Sequence, residues 1–147
     1  MRTVVDHGAV NGEPGPGRTR QQRSGDAAED LVAARLAEAG WTIVARNVRV
    51  GRGELDLVVV DPGPPPALVI VEVRWRRERS FGLPEETVDW RKRRQIRNAA
   101  LWLIDRGLPD GTPLPRLPLR FDLIVVEPPV RPGDPPRVRH HRNVVGA

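Results

Sequence analysis

The sequence predicts an α/β fold: a mixed sheet of about four strands flanked by two helices, in the order α-β-β-β-α-β. Three observations lead there. The stretches 27–39 and 90–106 carry apolar residues at helical spacing, and each is followed by a glycine. Between them lie three runs rich in Val, Ile and Leu, the last two joined across a Pro/Gly-rich turn, which is a hairpin signal. A fourth such run, Leu119–Val126, follows the second helical stretch.

Taken in order, residues 1–25 are rich in Gly, Pro and Arg without periodicity and read as a disordered leader, with Arg18, Arg20 and Arg23 on a solvated tail. The folded α/β domain is expected over 26–127. The first helix spans about 27–39, with Asp26 as N-cap and Glu29 three residues on as its capping-box partner. Its stripe is Ala28, Leu31, Val32, Leu36 and Ala39, and Gly40 stops it. Glu29 has a second reading, as a carboxylate carried towards the sheet. Trp41–Val50 is the first strand, and Gly51-Arg52-Gly53 turns into the hairpin. After Arg74 the chain becomes basic, and Glu78–Asp89 reads as a surface loop broken by Gly82 and Pro84. The second helix, N-capped by Asp89, buries Ile96, Ala99, Ala100, Leu103 and Ile104. Residues 128–147 form a Pro/Arg-rich segment expected to pack in part on the domain; His140 and His141 are adjacent and face opposite ways in a strand.

The hairpin carries the chemistry. Pairing Val60 with Leu68 sets Asp56 opposite Glu72 and sends Glu54, Asp56, Glu72 and Arg74 to one face. Carboxylates inside apolar strands are costly to bury without a partner. Two opposed carboxylates repel unless a cation lies between them, and oxygen ligands suit Mg²⁺ or Mn²⁺. From the residues alone the acids read equally as a metal site or as ion pairs with Arg52 and Arg74. A slip of one residue would separate them.

The charge is concentrated beside these acids. The chain is +5 overall, with a pI of about 11.2. Arg74–Arg97 alone holds nine basic and four acidic residues, so its own balance is also +5. Arg76, Arg77, Arg91, Lys92, Arg93, Arg94 and Arg97 form a basic rim, and cations in the first turns of a helix oppose its dipole unless an anion is expected there. Acids with a basic rim suit phosphodiester chemistry. Trp75 and Trp90 are candidates for stacking on bases, set against ordinary core packing. Lys92 is the only lysine among 24 Lys+Arg. The absence of cysteine removes disulfides, thiol catalysis and Cys-based zinc sites. With no membrane span and no signal-peptide core, the expectation is a cytoplasmic protein without a membrane partner.

The order of elements, with GELDL at Gly53–Leu57 ahead of VEVR at Val71–Arg74, resembles the restriction-endonuclease-like nucleases of the PD-(D/E)XK group. More closely, the chain resembles the YraN-like bacterial family, related to archaeal Holliday-junction resolvases. The likeness spans about Ser24 to Asn143 and includes the Glu29 helix, Arg46–Asn47, Phe81–Pro84, the basic helix start at Lys92, Arg120–Asp122 and the terminal His140–Asn143. It implies a restriction-endonuclease-like core in which Glu29, Asp56 and Glu72 bind Mg²⁺ (or Mn²⁺), and Asp56, Glu72 and Arg74 are catalytic. The sequence departs from the ExK pattern at Arg74, where lysine is expected and arginine cannot give up its proton. The expectation is a nucleic-acid-binding protein, DNA ahead of RNA, with Mg²⁺-dependent phosphodiester cleavage. The alternatives are a non-catalytic binding module or a protein-interaction domain. The oligomeric state stays open, a homodimer included.

Overall fold

Apolar runs such as LVIV form strands where helices cover both of their faces. The computed structural model describes residues 5–6, 20–76 and 90–144, and its strands form one sheet in sequence order. A two-residue edge, β1 (Val5–Asp6), precedes five longer strands: β2 (Thr42–Val50), β3 (Gly53–Asp61), β4 (Ala67–Trp75), β5 (Leu119–Glu127) and β6 (Arg137–His141). Pairing is antiparallel at β2–β3, β3–β4 and β5–β6, and parallel at β1–β2 and β4–β5. The parallel step from β4 to β5 requires a crossover, which α2 (Trp90–Arg106) provides.

The mixed α/β class and the two helices agree with the sequence reading, but the strand count does not. β1 lies in the expected leader and β6 in the C-terminal segment. Neither carries a strand signal: β1 is too short, and RVRHH has no apolar alternation. β6 forms because β5 would otherwise present an open edge. The first helix also differs. α1 (Arg20–Glu38) starts two turns before the expected cap, so Asp26 lies inside it. Gln21, Gln22 and Arg23 are good helix formers, and an interior Gly25 costs only about 1 kcal/mol. Asp89, Arg77, the Glu78–Asp89 link and Phe81–Pro84 lie outside the described residues.

Two cores sandwich the sheet. On one face Ala28, Val32 and Leu36 of α1 pack on Ile43, Leu57, Val59, Val69 and Val71. On the other, Ala99, Ala100 and Leu103 of α2 pack on Ala45, Val48, Leu55, Val58, Leu68 and Ile70. β4 is therefore buried on both sides from Ala67 to Val71. The helical stripe of α2 ends at Leu103. Ile104, expected in the core, is 43% exposed.

The hairpin register is the predicted one, with Val60 opposite Leu68 and Leu57 opposite Val71. One feature breaks simple alternation. Leu55 and Val58, three residues apart, both belong to the α2-side core, as do Ala45 and Val48 on the neighbouring strand. The break falls at Asn47, whose φ of 51° is left-handed, and opposite it at Asp56. An Asn tolerates this conformation better than most residues. Glu54 consequently turns to the α1 side, away from the face predicted for it.

Asp122, on β5, closes the far side of the sheet. Its side chain is fully buried. It accepts hydrogen bonds from Arg120 Nε (2.9 Å) and Nη2 (3.0 Å) and from the Asn143 amide (3.0 Å), and it bonds His140 Nε2 (2.8 Å).

Candidate metal and nucleic-acid site

The β3–β4 ladder runs from Asp61 and Ala67 to Leu57 and Val71 and stops there. Beyond that point β3 stays with β2, and Glu72–Trp75 of β4 pairs with β5. A fork opens between the strands, and Asp56 sits in it. Its Oδ2 accepts the Val73 amide at 2.8 Å, replacing a strand-to-strand bond.

The acids straddle this fork. Glu72 shares the α2 face with Ile70 and meets two cations at one oxygen: Arg74 Nε lies 3.4 Å from Oε1, and Lys92 of α2 reaches the same atom. Glu29 of α1 comes from the other face and shares a hydrogen bond with Asp56. Asn47, with its amide nitrogen turned to the acids, donates to Glu29 Oε1 (3.2 Å) and Oε2 (3.0 Å) and to Glu54 Oε1 (3.3 Å). Arg46 holds Asp30 at 2.6 Å.

Crowding of like charge in a half-buried space raises the carboxyl pKa values. Burial and the Asp56 charge, with a further push from Glu54, lift Glu29 to about 8 against the pull of Arg46. Burial lifts Asp56 to about 6, helped by Glu72 and Glu54 and opposed by the Val73 amide and Lys92. The hydrogen bond between the two carboxyls requires a proton on one of them. Elsewhere the sign reverses. Burial of Asp61 is outweighed by the Gly63 amide, Arg120 and Arg142, and burial of Asp122 by His140, Arg120 and Asn143, so both stay below the usual carboxylate range.

On the α2 side the fork opens into a cavity of about 270 Å³, lined by Arg52, Asp56, Glu72, Lys92, Gln95 and Ile96 among others. Asp56 and Glu72 thus face one space, and Glu29 reaches it through Asp56. Among the described residues, no three acidic or histidine side chains converge as a ready metal cage. Mg²⁺ does not need one, since it is commonly held by one or two carboxylates with water and substrate phosphate completing its shell. The donor set, two proton-sharing carboxylates beside a third, fits such an ion.

Of the basic rim, Arg91, Lys92, Arg94 and Arg97 are exposed on the first turns of α2, Arg93 is partly covered, and Arg76 follows β4. Trp75, a candidate stacker, packs instead against the α1-side core. Two contributors escaped the sequence reading. In the sequence Asn47 stands out only as half of an RN pair; an Asn in a strand whose alternation breaks is its available signal. Lys92 was read as a phosphate-binding residue of the helix, while the structure seats it on Glu72. None of the described helices is long and apolar enough to cross a membrane.

The family model for the uncharacterised protein family UPF0102 matches residues 28–126, a span that holds the fork, both cores and α2. A UPF0102 protein of Symbiobacterium thermophilum is 42% identical over 108 residues, covering 73% of this chain and 84% of that protein. A relative from Xanthomonas euvesicatoria is 45% identical over 113 residues, 76% of this chain and 86% of its own length. One from Nocardia farcinica is 40% identical over 125 residues, 84% and 90% respectively. With two thirds of the sequence matched by the family model and relatives of this identity along most of their length, the chain belongs to the uncharacterised protein family UPF0102.

Proposed function

We propose that this protein binds nucleic acid, DNA ahead of RNA, and cleaves its phosphodiester backbone with Mg²⁺ or Mn²⁺, on a core of restriction-endonuclease-like type. The observation that carries this reading is the forked pair Asp56 and Glu72, facing one cavity with the basic turns of α2 at its rim. Asp56 and Glu72 would hold the ion, with Glu29 supporting from α1. Bound there, the ion supplies charge neutralisation at the phosphate and lowers the pKa of a water. The chain's own groups do the remaining work. Arg91, Arg94, Arg97 and Arg76 hold flanking phosphates, and Asn47 fixes Glu29. Arg74 and Lys92, both on Glu72 Oε1, present positive charge to the scissile phosphate. Water adds to phosphorus in line with the leaving 3′ oxygen, the P–O3′ bond breaks, and the water's proton is lost as the 3′ oxygen takes one up.

Arg74 supports a second reading, a binder without catalysis, because it cannot exchange a proton at ordinary pH. Incubation with Mg²⁺ or Mn²⁺ and labelled duplex, flap, four-way-junction and single-stranded substrates separates the two. Cleavage that is lost in Glu72→Gln, with binding kept, supports the nuclease. If the wild type and Arg74→Lys bind yet cut nothing with either ion, the nuclease reading falls and the binder stands.

A further inference from the structure

Trp102 of α2 is 48% exposed, although an indole of its size is normally mostly covered. It stands on the same helix as the basic cluster, five residues beyond Arg97. Arg106 stacks on the indole at 3.6 Å from the ring centroid, which fixes the ring plane. Beside it lies a mainly apolar groove of about 330 Å³ between α2 and the β2–β3 turn. Its floor is Ala99 and the glycine backbone at Gly51 and Gly53, and Arg52, Gln95 and Asn98 supply polar heads. Arg52, Gly53, Gln95 and Ala99 also line the cavity of the acid fork, so groove and fork are contiguous.

We infer that this groove receives one unpaired nucleobase, stacked on Trp102, next to the phosphate held at the fork. The inference rests on the nuclease-like reading above and names its substrate class: nucleic acid with a single-stranded stretch at the site, rather than continuous duplex. The parts match a base and its backbone. A flat apolar wall takes the ring face; amide and guanidinium groups at Gln95, Asn98 and Arg52 can meet the base edge. The exposed cations Arg91, Arg94 and Arg97 lie along the helix to take neighbouring phosphates. The volume sits at the lower end of small-ligand pockets, roughly 300–1,000 Å³, which suits one base and not a base pair. A duplex offers only paired and stacked bases, so it cannot fill the groove without opening.

The test uses the full chain and Trp102→Leu and Trp102→Phe variants, with binding to oligo(dT) and to a duplex of equal length measured by anisotropy at fixed salt. Stacking on an aromatic is worth about 1–3 kcal/mol per base, so Trp102→Leu should weaken oligo(dT) binding by roughly 5- to 150-fold. Duplex affinity should change less than twofold, and Trp102→Phe should restore most of the loss. Equal oligo(dT) affinity in wild type and Trp102→Leu overturns the inference. So does an equal loss on both nucleic acids, or a change in sedimentation mass showing that Trp102 joins two copies of the chain. If the wild type binds neither nucleic acid, the nuclease-like reading itself is wrong, an outcome distinct from tight duplex binding without any effect at Trp102.

Discussion

Replacing Asp56 by Asn should stabilise the metal-free protein at neutral pH while removing a proposed metal ligand. In the fold the Asp56 carboxyl is raised from the ordinary 3.8 to about 6. A difference of roughly two pK units, at about 1.4 kcal/mol each, is about 3 kcal/mol of stability forgone once the group is ionised. The sign follows from proton counting. Below 3.8 both states hold the proton and nothing is lost. Between 3.8 and about 6 the unfolded chain releases its proton while the folded one keeps it, so stability falls as pH rises. Above about 6 the penalty is complete. Asn keeps a carbonyl oxygen for the Val73 amide and carries no charge towards Glu29 and Glu72. Urea unfolding in EDTA at pH 7.5 should therefore show Asp56→Asn more stable than wild type by about 2–3 kcal/mol. At pH 4.5 the gap should shrink by about 2 kcal/mol, because most of the folded wild type is then protonated there. Glu29 acts in the same direction, but its exposure to solvent discounts its share. The depressed groups Asp61 and Asp122 lend stability that is lost only as pH falls below the ordinary carboxylate range, outside this window. An Asp56→Asn protein less stable than wild type at pH 7.5, or a gap independent of pH, would refute the assignment of a strained carboxylate to the fork.

Three further outcomes are expected. Neutralising Arg91, Arg94 and Arg97 together should weaken binding to all sequences alike and reduce the slope of log K against log salt by about 2.7, at roughly 0.9 per phosphate contact on duplex; an unchanged slope would move the contact surface elsewhere. Lys92→Met and Arg74→Lys should move cleavage in opposite directions, with a fall of at least tenfold for the first and a preserved or higher rate for the second, read in single-turnover assays. Asp122→Ala should cost about 1–3 kcal/mol, because it removes the buried acceptor of the His140 and Asn143 bonds while Arg120 keeps its pairing with Asp61, and denaturant midpoints would show it.

The parts of the fold that were legible from sequence are those where periodicity and packing agree. The hairpin register could be read because a two-residue period admits only one arrangement that buries Leu57 with Val71 and Val58 with Ile70. α2 was placed correctly from Trp90 to Arg106 because its charge and apolar stripe fall on different faces. β6 was not legible, since RVRHH is paired by what β5 lacks and not by its own pattern. The start of α1 was missed because a good cap at Asp26 masked an upstream run that propensity alone extends. At the site, Asp56 and Glu72 stood out as acids in apolar strands. The left-handed Asn47 that turns Glu54 away, and the seating of Lys92 on Glu72, depend on tertiary geometry that no local pattern encodes.

The closure of the sheet by β6 bears on how the protein is made. β5 is buried almost end to end, and its outer edge is covered only when Arg137–His141 pairs with it. A chain that carries β5 without β6 shows a long hydrophobic edge and an Asp122 that lacks His140 and Asn143. Such an edge is a template for pairing with another chain. The Pro-rich tether between β5 and β6 holds the missing strand close, so pairing of Arg137–His141 acts as a seal. A premature stop anywhere between Glu127 and Arg137 would therefore be expected to yield insoluble chains, even though every proposed site residue had already been synthesised.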